Sequence, residues 1–222
     1  MRKISGIIGV DEVGRGALSG PVVVAAVFLP LKSRNRKISA LKRLAKERIR
    51  EKFVLKDSKK HIPEHRRAIF AIMKDLKIAY QVSKVSPGLI DRLNIAQAAN
   101  LAATRAVERL IKRNRISSAR ILLDGGLFLL DSFYQSKANY FSTATIIKGD
   151  EKFDVIKLAS IAAKVYRDRL MERLHQDYPL YELNKHKGYG TKKHIKAIKA
   201  NGFSPLHRLT FLKRYAKINS KS

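Results

Sequence analysis

Residues 4–29 read ISGIIGVDEVGRGALSGPVVVAAVFL, and this stretch decides the fold. Two short apolar runs rich in β-branched residues, 4–10 and 21–29, flank a glycine-rich segment, the pattern of two neighbouring strands of a buried sheet joined by a turn. Working outward, further strand candidates lie at 78–85 (IAYQVSKV), 119–123 (ARILL) and 142–147 (STATII). Between them apolar residues recur at spacings of three and four. Ile95, Ala98, Ala102, Ala106 and Leu110 form one such stripe, and Val155, Ala159, Ala162, Tyr166 and Leu170 another. Pro63 ahead of EHRRAIFAIMKDL predicts a helix with proline in its first turn. Strands first and helices interleaved afterwards predict an α/β fold, a mixed sheet flanked by helices. The chain has no internal repeat and no low-complexity block.

A chain of 222 residues with 45% apolar composition is long enough for one full-sized domain with a hydrophobic core. Lys and Arg number 47 against 18 Asp and Glu, a formal charge of +29 that calls for a polyanionic partner. Charge alone fits a structural RNA-binding protein as well as a nucleic-acid enzyme. The absence of cysteine excludes disulfide scaffolds, thiolate zinc sites and cysteine nucleophiles. The apolar stretch after Met1-Arg2-Lys3 is broken by Gly6, Gly9 and Asp11-Glu12, so it is no signal peptide, and no apolar run is long enough to span a membrane. The expectation is a soluble, cytoplasmic, monomeric protein.

Two stretches concentrate the positive charge. Residues 31–60 carry 13 Lys/Arg against Glu47, Glu51 and Asp57, and read either as a solvated helix or loop or as a nucleic-acid surface, the former favoured. Residues 185–222 carry 11 Lys/Arg and no acid. There, Thr191 caps a predicted helix on which Ile195 and Ile198 can pack while Lys192, Lys193, Lys196 and Lys199 meet phosphates. A second short helix is expected over 206–216. The chain divides on this reading into a catalytic core, 1–184, and a basic helical C-terminal part of the same unit, 185–222.

In so basic a chain the acids are informative, because a carboxylate beside a polyanion is repelled unless a cation sits between them. Asp11-Glu12 follows IIGV, Asp124 follows ILL and Asp150 follows TIIKG, so three strands can deliver carboxylates to one sheet edge. Such a hard oxygen site suits Mg²⁺ or Mn²⁺, and two ions about 3.5–4 Å apart can drive an in-line phosphoryl displacement. Adjacent strand residues point to opposite faces, so Asp11 and Glu12 can both face metal only if the strand ends or bulges there. Taken singly, each acid also has an ordinary reading: Asp124-Gly125 as a turn, Gly149-Asp150 as a loop start, Asp11-Glu12 as a helix cap.

DEVGRGALSGP at 11–21 resembles the signature that opens the ribonuclease HII family. The resemblance continues in order through LKDSKK (55–60), NIAQAANLAATRAV (94–107), LLDGG (122–126), IIKGDEKFDVIKLASIAAKVYRDR (146–169) and KGYGTKKHIKAIKANGFSPLHRLTF (187–211). It departs in His61 after DSKK, in EKFDVIK, and in a longer, more basic 31–52. Ribonuclease HIII shares the chemistry but typically carries an additional N-terminal domain and a different sequence after its Asp-Glu pair.

The resemblance implies a ribonuclease H-like core with a helical C-terminal extension. It implies hydrolysis of RNA–DNA hybrids or of ribonucleotides embedded in duplex DNA, leaving 5′-phosphate and 3′-hydroxyl ends. It makes Asp11, Glu12, Asp124 and Asp150 the metal-binding catalytic set. Gly14-Arg15-Gly16 would meet the ribose 2′-hydroxyl, where glycines permit close main-chain approach, and Tyr189 would stack on the sugar at the RNA–DNA junction. Ser160, Lys164 and Arg167, at spacings of four and three on one helical face, could hold substrate phosphates or simply be solvated. Recruitment by a DNA clamp is left open by the sequence.

Overall fold

A computed structural model describes residues 5–50, 53–56, 58–137 and 139–213. In chain order the elements are β1 (Gly6–Val13), β2 (Val22–Pro30), α1 (Arg34–Ile49), α2 (Pro63–Asp75), β3 (Ala79–Val85), α3 (Pro87–Leu93), α4 (Ile95–Asn114), β4 (Ala119–Asp124), α5 (Asp131–Lys137), β5 (Phe141–Ile146), α6 (Gly149–Lys152), α7 (Asp154–Asp177), α8 (Leu183–His186), α9 (Lys192–Asn201) and α10 (Leu209–Leu212). The strands form one mixed sheet in the order β3-β2-β1-β4-β5. The hairpin β1-β2 and the pair β2-β3 are antiparallel, whereas β1-β4 and β4-β5 are parallel.

Each predicted strand is present, four of them within one residue of the expected ends, while β1 continues three residues past the expected 10 and takes in Asp11 and Glu12; β-branched runs pack well on a pleated, buried surface. Ile8, Val10, Val22, Val24, Ile121 and Leu123 face one layer, where α4 packs through fully buried Ala98, Ala99, Ala102, Ala103 and Ala106. Side chains that small let a helix lie close against a sheet. The opposite face, with Val23, Ala25, Val27 and Leu122, packs against α7 and α2. Each fully buried Ile, Leu or Val contributes about 1.5–3 kcal/mol. At Gly9 the backbone of α7 lies close against the sheet, for a Cβ there would stand 2.5 Å from the backbone carbonyl of Val155.

Pro63 takes the first helical position of α2, and the Asn94 side chain caps α4 by accepting from the N–H groups of Ala96 and Gln97. The basic segment after β2 is a helix, α1, anchored through buried Leu41 and Ala45, with Lys42 paired to Asp154 at 2.9 Å and Arg48 to Asp75 at 3.3 Å. Among the described residues, no helix is long and apolar enough to cross a membrane.

The helix expected over 206–216 is shorter than that. Arg208 is extended because its N–H donates to Leu18 and its side chain runs inward, so the helical turn begins only at Leu209, capped by the Asp91 carboxylate. Residues 214–216 lie outside the described residues. A small third core of Leu18, Met171, Tyr181, Leu183, Ile198 and Leu212 joins this C-terminal part to the sheet domain.

Candidate active site

The parallel register of β1 on β4 ends at Val10↔Leu123, and one residue further sets Asp11 beside Asp124 on the face covered by α7. Asp124 pairs with Ile146 of β5, after which Lys148 turns through left-handed backbone into α6 and brings in Asp150. The Asp124 Oδ1 accepts from the N–H of Gly149 at 2.6 Å and of Asp150 at 3.2 Å, so one carboxylate positions the turn that carries another. One oxygen each from Asp11, Asp124 and Asp150 lies within 4.8 Å of the others.

Asp11 is buried, and its carboxyl is pushed well above the usual range, first by burial and then by the charges of Glu12 and Asp124. A hydrogen bond from Ser160 opposes that shift, and the Glu12 N–H donates to Asp11 Oδ1 at 2.7 Å. The Ser160 hydroxyl lies 2.7 Å from that of Ser58, in the short turn Ser58–Lys60. Three carboxylate oxygens crowded at a buried edge of a +29 chain are the donor set a hard divalent cation takes, and such a cation would remove their mutual repulsion.

Glu12 does not join this group. The strand neither ends nor bulges at Asp11-Glu12: β1 stays in register with β2 through Val13, so the pleat turns Glu12 away from Asp11. Its Oε1 meets Arg15 at 3.4 Å, while its Oε2 is buried without a hydrogen-bond partner. Burial raises the Glu12 carboxyl, Arg15 opposes the shift, and Asp124 adds to it, so Glu12 remains in electrostatic reach of the three acids.

Gly14-Arg15-Gly16 opens the loop from β1 to β2. Gly14 has φ +86°, and a Cβ there would collide with Arg167. Arg167 is not a solvated phosphate ligand: it is fully buried and donates to the carbonyls of Pro21, Ser19 and Lys187 at 3.2, 3.2 and 2.7 Å. Ser160 likewise faces Asp11 and Ser58 rather than solvent. Lys164 pairs with Asp168 at 2.8 Å. Of the three residues at this spacing, Ser160 and Arg167 are among the buried residues of α7, and Lys164 is half-buried.

Sequence reasoning missed Arg208. Also fully buried, it donates to Gly20 O at 3.0 and 2.9 Å and to Arg15 O at 2.9 Å. Two buried guanidinium groups thus hold the carbonyls of residues 15, 19, 20 and 21, and no local sequence pattern announces a contact made across 188 residues.

Tyr189 sits in the turn before α9, next to Gly188, whose carbonyl accepts from Leu18 and Ser19 at 2.8 and 3.2 Å. The Tyr189 carbonyl accepts from His194 Nδ1 at 3.0 Å. His207 Nδ1 accepts from the Ser204 N–H, which leaves its Nε2 to donate to His194 Nε2 at 3.3 Å. Both rings are neutral, burial having lowered each to about 4. The predicted Thr191 cap of α9 is present, accepting from the His194 N–H.

The ribonuclease HII family model matches residues 8–216. The chain is 41% identical over 205 residues to ribonuclease HII of Endomicrobium trichonymphae, covering 92% of this chain and 84% of that one. It is 40% identical to that of Bacteroides thetaiotaomicron, covering 91% and 88%. The crystal structure of ribonuclease H2 from Pyrococcus horikoshii OT3 superposes with a TM-score of 0.68 at 27% identity, over 96% of each chain. Sequence, fold and the convergence of acids at the sheet edge agree: this is a ribonuclease H hydrolase, and the chain belongs to the ribonuclease HII family.

Proposed function

We propose that this endonuclease hydrolyses the RNA strand of RNA–DNA hybrids and cuts on the 5′ side of ribonucleotides embedded in duplex DNA, leaving 5′-phosphate and 3′-hydroxyl ends, as the incision step of ribonucleotide removal. The observation that carries this reading is the three-aspartate edge beside a glycine loop whose carbonyls are held by buried arginines.

Asp11, Asp124 and Asp150 would hold Mg²⁺ or Mn²⁺; Glu12, set apart from them by the pleat but in electrostatic reach of Asp124, would be the fourth carboxylate once an ion draws in its unpaired Oε2. When two such ions are bound, they supply charge neutralisation at the phosphate and a more acidic attacking water. Ser160 keeps Asp11 oriented and favours its ionised form. The Gly14-Arg15-Gly16 backbone, which turns at the positive φ of Gly14, meets the ribose 2′-hydroxyl, the group that separates RNA from DNA. Tyr189 presents its ring to the sugar of the next nucleotide. Lys164 and the lysines of α9 attract the flanking phosphates. The protein acts as a monomer, and sedimentation showing an obligate dimer would sink that part of the reading.

The test is incubation with duplex DNA containing one ribonucleotide and with all-DNA duplex, in Mg²⁺, in Mn²⁺ and in chelator. Metal-dependent incision 5′ of the ribonucleotide is expected. Affinity without incision would instead favour a non-catalytic RNA-binding protein, for which metal matters only through screening.

A further inference from the structure

A groove of about 700 Å³ runs along the outer edge of the sheet, away from the three aspartates, with Ala79–Val82 of β3 among its lining residues. Its walls come from both layers: Lys74 and Lys77 at the end of α2, Arg113 at the end of α4, and Arg169 and Arg173 on α7. No acid lines it, and among the described residues none of these five cations takes part in an ion pair.

β3 is a terminal strand, so alternate residues turn their N–H and C=O groups outward, unpaired by any neighbouring strand. Edges of this kind are usually blocked by charges on the strand itself. Here the strand residues at the groove are Ala79, Tyr80, Gln81 and Val82, all uncharged; Lys84, exposed on the same strand, does not line it, and of the five cations Lys77 precedes β3 while the other four stand on the flanking helices. That arrangement leaves the backbone approachable and surrounds it with positive charge.

We propose that this groove binds an acidic polypeptide segment of another protein, which adds to β3 as a sixth strand. Three observations select that occupant. A second copy of the chain, at +29, is repelled. The chain's own last residues, 214–222, carry Arg214, Lys217 and Lys221 and no acid. A nucleic-acid strand could meet the cations and the half-buried rings of Tyr80 and Tyr166, but it has no N–H/C=O ladder to match a strand edge, and that unmatched ladder is what favours a peptide. An extended acidic peptide satisfies the edge and the charge together.

The experiment measures amide hydrogen exchange over 79–85 in the full chain, with a synthetic peptide of alternating Glu and Val matched to the seven residues of β3. Slowed exchange in β3 is expected, with binding about tenfold weaker in the Lys74→Glu/Arg113→Glu double variant. That variant should keep its melting temperature and its cleavage of a short ribonucleotide-containing duplex. A peptide with proline at its central valine should fail to protect β3, because it loses a ladder donor. Absence of protection by the alternating peptide, equal protection by the proline peptide, or equal protection by an oligothymidylate of the same charge would each overturn the proposal.

Discussion

The guanidinium of Arg167 lies 5.4 Å from the centre of the Tyr189 ring, and the same side chain holds the carbonyls of Ser19 and Lys187. One buried residue therefore couples the glycine loop after β1 to the turn that carries the tyrosine, and sets the two elements in a fixed relation.

Arg167→Met should leave the buried carbonyls of Ser19 and Pro21 and the half-buried carbonyl of Lys187 without this donor, costing roughly 2–4 kcal/mol of stability. Arg167→Lys should recover part of that loss but not the fork that reaches both loops. Thermal melts check the stability. Cleavage at a single ribonucleotide is expected to fall more than cleavage of a uniform hybrid, and an equal fall would argue against the coupling.

Tyr189→Ala should weaken incision at an isolated ribonucleotide selectively, because the role proposed for Tyr189 puts its ring against the sugar at the junction. The ratio of the two substrate activities is the readout, and a variant equally poor on both would remove Tyr189 from that role.

Asp124→Asn should abolish incision, by roughly 10³-fold or more, while duplex binding persists, because a ligand to metal loses several kcal/mol of charge stabilisation. Its amide can still accept from Gly149 N–H through oxygen, so the α6 turn should survive. Retained turnover would refute the metal assignment.

His194 and His207 are neutral in the fold at about 4, against an ordinary value of 6.5, so the unfolded chain takes up protons first as pH falls. Their contribution to stability is whole above 6.5 and is lost as pH falls through the window down to about 4. Melting temperature should drop over that window, and less steeply in His194→Gln/His207→Gln. A double variant with an unchanged slope would show that other groups dominate acid sensitivity.

Gly9→Ala should destabilise by about 1–3 kcal/mol, because its new methyl would meet the Val155 carbonyl and force α7 outward. At this chain size that is roughly 2–4 °C of melting temperature per kcal/mol. Because α7 carries Ser160, incision should fall as well. An unchanged melt would mean that helix and sheet separate at little cost.

Much of the fold was legible in the chain because periodicity is a local property. The apolar runs around GIIGV and PVVVAAVFL, the stripe from Ile95 to Leu110, Pro63 and the Thr191 cap each act within a few residues. So do the acids at strand ends, since a strand that stops at Asp124 or Val13 must present its last side chains at the edge of the sheet. Parity was harder: whether Glu12 shares a face with Asp11 depends on how far β2 holds the pleat in register, and it holds it to Val13.

By itself the sequence determined the α/β class, the polyanionic partner and the ribonuclease HII signature, and it singled out Asp11, Glu12, Asp124 and Asp150 as the acids that follow apolar runs. Only the tertiary structure decided that Asp11, Asp124 and Asp150 converge while Glu12 turns aside, that Ser160 serves Asp11, and that Arg167 and Arg208 lie buried beneath the glycine loop. Those outcomes depend on strand order and on hydrogen bonds spanning 146 and 188 residues, and a guanidinium carries no mark in the sequence of which distant carbonyls it will meet.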